Sequence, residues 1–270
     1  MQMGLIRRTS RVILATIFAV MLAAAWIAPY SYDRQFRDET AAAPSRSHLL
    51  GTDAIGRDRF ARLLYGGRIS ILLAPGAAIV SVGLALIVAM AAALSGGYLE
   101  RIATVVIDLV LALPWIFLLL AVRAALPLNT SPMVSAGVIF ALLGLLGWAA
   151  PARIVLAAAK TQLRSDYALA ARAAGCGNGR LAVVHLVPNL FPVASAQFWV
   201  TAPVFLLSEA NLSLLGLGIS EPMPSWGNLL RDLQNLPSLR HQPWIAAPLL
   251  LLVLTLSCCH AAQPSAEDLR

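Results

Sequence analysis

The chain has 270 residues, of which 59% are hydrophobic and 12% charged, with a mean hydropathy of +0.76. So few charges cannot cover the water-facing surface of a soluble domain of this length, so the composition describes an integral membrane protein. The net charge of +7 does not point to nucleic acid, because the arginines are scattered through loops rather than gathered on one face.

A membrane-spanning helix needs roughly 20 mostly apolar residues, and the hydropathy predicts six, at 12–30, 69–94, 102–126, 133–159, 190–217 and 244–260. The first follows Arg7, Arg8 and Arg11. Its apolar run exceeds the roughly 7 to 15 residues of a signal-peptide core, so a retained anchor is expected, although the alanines at 23–25 imitate a cleavage site. A charged loop follows, ending in GRDRFARLLYGGR at 56–68. There Phe60, Leu63 and Leu64 share one helical face, with Arg57, Arg59 and Arg62 largely off it. This segment is expected to lie along the membrane surface and turn inward at Gly66 and Gly67; its periodicity equally fits an ordinary solvated helix.

The third span contains Asp108, six residues before Pro114. An ionisable residue inside a span is expensive and usually functional, and a proline there frees a carbonyl and permits a kink. The pair could line or gate a pore, or Asp108 could tie its helix to a neighbour. Arg123, near the outer end, can snorkel to headgroups and receives no role.

Between the fourth and fifth spans lies a basic, small-residue segment, DYALAARAAGCGNGRLAVVHLVPN, at 166–189. From Asp166 onward, Tyr167, Ala170, Ala171 and Ala174 recur at helical spacing as a smooth face, with Gly175 where a left-handed cap would end the helix. Gly177, Asn178 and Gly179 predict a turn, and a second short helix over 180–187 is expected to stop at Pro188. The face would let a partner approach closely, with Arg172 and Arg180 at its rim. A plain hairpin between spans is the other reading.

Glu209 interrupts the fifth span and with Asn211 and Ser213 suggests a polar strip, facing a pathway, a partner or the interior. Trp226, in a proline-bounded loop, is expected to be an interface anchor. Cys258, Cys259 and His260 end the last span without a second ligand pair at zinc-site spacing, so no metal is expected. Three cysteines, two of them adjacent, imply no disulfide framework. Basic residues divide evenly between the two sides, so the positive-inside rule leaves orientation open.

Three blocks carry a family resemblance. Ala170, Ala171, Gly175 and Pro188 sit at the spacing of the EAA loop of ABC-transporter permeases, with Leu169 where that loop has Glu and Val187 where Leu is usual. HLLGTDAIGRD at 48–58 with RLLYGGRIS at 62–70, and SEANLSLLGLG at 208–218 with PMPSWG at 222–227, resemble segments of the C-type subunits of dipeptide, oligopeptide and nickel importers. The carboxyl-terminal CCHAAQPSAEDLR departs from the usual tail.

The resemblance implies an all-α membrane fold of the type I ABC importer permease. Residues 1–68 would form an anchor, external loop and interfacial helix, 69–262 the permease core, and 263–270 a cytoplasmic tail. Such a chain forms half of a pore with a homologous permease, receives small solutes from an external solute-binding protein, and is driven by two cytoplasmic ATPases that consume ATP and Mg. The chain itself would be no enzyme and bind no cofactor, consistent with its lack of a G-x-x-x-x-G-K-[ST] phosphate loop. Asp166, Tyr167, Ala170, Ala171, Arg172, Gly175 and Pro188 are then expected to couple to the ATPases. Asp108, Pro114 and Glu209 become pore or gating candidates, and Asp53, Arg57, Asp58 and Trp226 external docking candidates. Both termini would be cytoplasmic, in a cell inner membrane. A secondary transporter or channel would instead show inverted repeats, and none is evident.

Overall fold

The computed structural model describes residues 2–114, 117–121 and 131–263. Among them the regular structure is helical, apart from isolated bridges pairing Gln35 with Arg57 and Thr52 with Asp58. Helices are the natural outcome for apolar runs of this length, because each satisfies its own backbone polar groups without water. The chain runs through α1 (Gln2–Leu22), α2 (Ala24–Ile27), α3 (Arg59–Ser95), α4 (Gly97–Ala112) and a stretch α5 at 117–121. It continues through α6 (Pro132–Leu146), α7 (Ala149–Leu163), α8 (Asp166–Ala173), α9 (Asn178–Arg180) and α10 (Val187–Leu214), and ends with α11 (Trp226–Leu229), α12 (Leu236–His241) and α13 (Ala247–Ala261).

Among the described residues, four helical stretches are long and apolar enough to cross a membrane: Arg59–Ser95, Pro132–Leu163, Asn178–Leu214 and Pro243–Ala261. They correspond to the second, fourth, fifth and sixth expected spans. The first is occupied by α1 and α2, with Arg7, Arg8 and Arg11 in the leading half of α1. Part of the third expected span, with Arg123, lies outside the described residues, as does the tail from 264.

Two compact units are resolved. One comprises Met1–Ala74, Leu120–Phe140 and Pro203–Gln263; the other comprises Pro75–Leu119 and Ala141–Ala202 among the described residues. Helices α3 and α10 each pass from one unit to the other at a proline, Pro75 and Pro203.

In the second unit, α7 turns Ala149, Ala152, Val155, Leu156, Ala159 and Leu163 into the core at three- and four-residue spacing. They meet Ala85, Ala89 and Ala92 of α3 and Ile107 of α4. Small side chains let helix backbones approach closely, which is how helices associate where the surrounding lipid is as apolar as the core.

The structure corrects two expected breaks. Helix α3 begins at Arg59 and runs unbroken through Gly66 and Gly67. Gly67 serves close packing instead: a Cβ there would lie 2.2 Å from Met21 Sδ and 2.7 Å from Trp226 Nε1. Nor does the helix over 180–187 stop at Pro188. A π-helical stretch, Leu181–Leu186, leads directly into α10, and its wide register, with Val187 N–H bonded to Ala182 O, accommodates a residue that lacks an N–H.

Candidate functional site: a short anchored helix and an internal charge network

Helix α8 follows α7 after only Arg164 and Ser165. Ser165 Oγ donates to Gln162 O at 2.6 Å, and Tyr167 OH donates to Gln162 Oε1 at 2.8 Å, so the two helices are fastened across their joint. Ala168 is fully buried, and Tyr167 and Ala171 pack on the core of the second unit. Asp166, Leu169, Ala170 and Ala173 form the outward strip, Leu169 being 52% exposed. The smooth face expected from spacing is therefore divided: Tyr167 and Ala171 hold the helix down, while Ala170 is presented.

Gly175 ends α8 as expected. Its φ is +81°, its N–H bonds Arg172 O at 2.9 Å, and Cys176 N–H reaches back to Ala171 O at 3.0 Å. A Cβ there would meet nothing within 4 Å, so the requirement for glycine is conformational rather than steric. Arg172, Arg180 and Pro188 are exposed.

The loop before α3 is knit into the first unit. Asp58 caps α3, its Oδ1 accepting from Ala61 N–H at 2.7 Å, while Oδ2 pairs with buried His48 Nδ1 at 2.7 Å. Asp53 Oδ1 accepts from the amides of Ile55 at 3.0 Å and Arg57 at 2.9 Å. Its Oδ2 accepts from Arg57 Nε at 2.7 Å and Arg62 Nη1 at 2.8 Å. Both arginines then reach Glu221, at 2.5 and 3.0 Å, and Arg59 pairs with Asp232. Arg62 Nε has no protein partner and lies beside a cavity of about 40 Å³, room enough for water.

Burial alone would raise the Asp53 carboxyl, but bonds from the Arg57 amide and guanidinium, with the charges of Arg57 and Arg62, hold it below its ordinary value. Burial likewise pulls Arg57 down, and Asp53 and Glu221 outweigh it, leaving the guanidinium above its usual range.

Trp226 is fully buried; its backbone N–H donates to Ser70 Oγ at 3.2 Å and its Nε1 to Leu63 O at 3.2 Å. Ser225 and Asn228 form a reciprocal capping box that starts α11. Glu209 lies below this turn with no exposed surface, its Oε1 accepting from Ser213 Oγ and Ser225 Oγ, both at 2.7 Å. Asn211 is exposed, so the expected polar strip does not share one face.

The structure thus relocates the external docking candidates. Asp53, Asp58 and Trp226 are buried and Arg57 nearly so, with partners inside the unit rather than on a docking surface. Among the residues this segment exposes are Arg37, Asp38, Arg46, Leu49 and Ile55. Sequence reasoning passed over these five because each lacks a neighbour of distinctive chemistry at regular spacing.

Residues 81–260 match the family described as the binding-protein-dependent transport system inner membrane component. The chain belongs to that family. Its relatives include the oligopeptide transport system permease protein OppC of Bacillus subtilis, 31% identical over 86% of this chain and 72% of that protein. OppC of Haemophilus influenzae is 30% identical over 92% of this chain and 78% of its own length. The di/tripeptide transport system permease protein DppC of Pseudomonas aeruginosa is 33% identical over 79% and 71%. The chain is a multi-pass membrane permease component with a transport rather than a catalytic role.

Within this permease, Asp108 is paired with Arg153 of α7, both side chains about half exposed. Eight residues earlier on α4, Glu100 pairs with Lys160. Pro114 does not kink a continuing helix: α4 stops at Ala112, and Leu113 takes the extended conformation (φ −73°, ψ 128°) favoured before proline. Among the described residues no group of three or more potential metal ligands comes together. Cys176, Cys258 and Cys259 are free thiols.

Proposed function

We propose that this permease is one half of the translocation pore of an ATP-driven importer for dipeptides, oligopeptides or a related small solute. Its OppC and DppC relatives, named for oligopeptide and di/tripeptide transport, support this substrate class. The other half is a homologous permease, an external solute-binding protein delivers the substrate, and two cytoplasmic ABC ATPases supply the energy by consuming ATP and Mg. In this reading the protein lies in the cell inner membrane with both termini and the 166–189 segment in the cytoplasm.

The observation that carries the coupling role is α8 itself: a short helix anchored on one side by Tyr167, Ala168 and Ala171, presenting Asp166, Leu169 and Ala170 on the other, and closed by a left-handed glycine. A small-residue strip on a helix fastened to α7 suits reception of an ATPase groove and transfer of its motion, as alternating access requires. Asp108 and Pro114 are assigned to the moving helices rather than to a substrate contact, and Glu209 to holding the Ser225 turn.

The test is Gly175→Asp in the assembled transporter. It strains the cap and puts negative charge at the negative end of α8, without touching the core. Uptake should be lost with the amount of permease in the membrane unchanged. Normal transport by this variant would refute the docking assignment.

A further inference from the structure

Helices α4 and α7 are neighbours in the second unit, and their charged residues meet in order: Glu100 in the first turn of α4 with Lys160 in the last turn of α7, and Asp108 with Arg153. Eight residues separate the acids and seven the bases, so at 1.5 Å per residue the two rungs stand roughly 11 Å apart on antiparallel helices. Glu100 and Lys160 also complement the helix ends on which they sit.

The surrounding chemistry gives these pairs an effect beyond ordinary surface ion pairs. Elsewhere on α4 the exposed surface is largely apolar, with Leu99, Val105, Val106 and Leu109 exposed, while Arg101 and Thr104 share the flank of the two acids. The core beneath combines the small Ala149, Ala152 and Ala159 of α7 with Val155, Leu156 and Leu163, and Ile107 of α4; the alanines leave the register of the two helices less firmly set by packing. Two charge pairs at different heights fix the register that such packing leaves loose. Helix α7 is in turn fastened to α8 through the Gln162 bonds to Ser165 and Tyr167.

We infer that Glu100, Asp108, Arg153 and Lys160 are positioning residues for transport: a two-rung charge ladder that locks α4 to α7, so that displacement of α8 is passed to α4. This rests on the reading of α8 as the ATPase-docking helix. In this proposal the four residues act through the α4–α7 contact, and their effect lies in the coupling between ATP hydrolysis and uptake.

The experiment uses the complete transporter, with partner permease and ATPases, reconstituted in lipid vesicles and supplied with its binding protein and a dipeptide. Solute moved per ATP hydrolysed is measured for Asp108→Arg, Arg153→Asp and the combined exchange, and likewise for Glu100→Lys, Lys160→Glu and their combination. Each single reversal should lower that ratio roughly three- to tenfold while the ATPases still co-purify, and each exchange should restore it to within about twofold. A merely structural role would lower the amount of transporter and leave the ratio alone.

If a reversal does not reach the membrane, Asp108→Asn and Arg153→Gln serve instead, with an expected loss of roughly two- to threefold. Single variants with the parental ratio, or exchanges that recover nothing, overturn the ladder. Failure of the docking reading is distinguishable, since it would show as unchanged ATPase co-purification and uptake in Gly175→Asp.

Discussion

Asp53→Asn provides a direct test of the internal charge network. The carboxylate accepts four hydrogen bonds, two from amides and two from guanidinium groups. Asparagine can keep Oδ1 as the acceptor for Ile55 and Arg57 N–H, but then its own N–H₂ faces Arg57 Nε and Arg62 Nη1, donor against donor. Arg62 is 3% exposed and retains only Glu221, whose side chain is 48% exposed. Removing one partner of a buried pair costs about 3–5 kcal/mol; the surviving Glu221 contacts place this case lower, at about 2–3 kcal/mol. For a chain of this size that corresponds to a fall of about 4–12 °C in unfolding temperature. Glu221→Gln should cost under about 1 kcal/mol, because half of that carboxylate is in solvent.

The assay is thermal unfolding of the purified protein in detergent, followed by intrinsic tryptophan fluorescence, which reports exposure of buried Trp226 in the same unit at acid as well as neutral pH. It also has a pH signature. Asp53 is held below its ordinary value, so the native state takes up its proton less readily than the unfolded chain. Its stabilisation is therefore complete above the unfolded value of about 3.9 and is lost as pH falls through it toward the lower folded value. The gap between parent and Asp53→Asn should be full at neutral pH and narrow below about pH 4. Equal unfolding temperatures at neutral pH, or a gap unchanged in acid, would refute the network as an electrostatic structure.

Three further outcomes follow from the same geometry. Trp226→Ala empties a fully buried site and should cost about 3–5 kcal/mol, whereas Trp226→Phe, losing chiefly the bond to Leu63 O, should cost about 1–2 kcal/mol, both read by thermal unfolding. Glu209→Gln preserves the acceptor for Ser213 and Ser225 and should be nearly neutral in stability. Glu209→Leu removes the acceptor for both hydroxyls, leaving Ser225 Oγ with only the Asn228 N–H, and should cost about 1–3 kcal/mol. Leu169→Glu places a second acid on the outward strip with Asp166 and is expected to strengthen ATPase co-purification; weakened association would show that the contact there is apolar.

The outline of the fold was legible because hydropathy reports spans directly. Gly175 was legible as a helix stop because a left-handed cap has a clear residue preference. What misled was local periodicity wherever tertiary partners intervened. Gly66 and Gly67 look like a hinge in isolation, yet residues far away in sequence, the Ser225 backbone against Gly66 and Met21 and Trp226 against Gly67, make them close-packing positions within one helix. Pro188 looks like a stop, and the π-helical turns before it carry the helix through. On α8, spacing alone could not tell that Ala170 faces outward and Ala171 inward, because the division is set by the core beneath.

The charged loop before α3 shows why charge density is a poor guide to a docking surface in such a chain. Arg57, Arg59 and Arg62 find Asp53, Glu221 and Asp232, three cations against three anions, and little of their charge is left to attract a partner. Arg34 is turned over the rings of Tyr30 and Phe36, at 5.4 and 4.9 Å. The exposed residues outside this network include Arg37, Arg46, Leu49 and Ile55. The same subtraction on α8 leaves Asp166, Leu169, Ala170, Arg172 and Ala173 once Tyr167, Ala168 and Ala171 are spent on holding the helix in place. In both segments the residues with the most distinctive sequence chemistry are mostly committed to positioning, and the surface offered to a partner consists of the plainer residues between them.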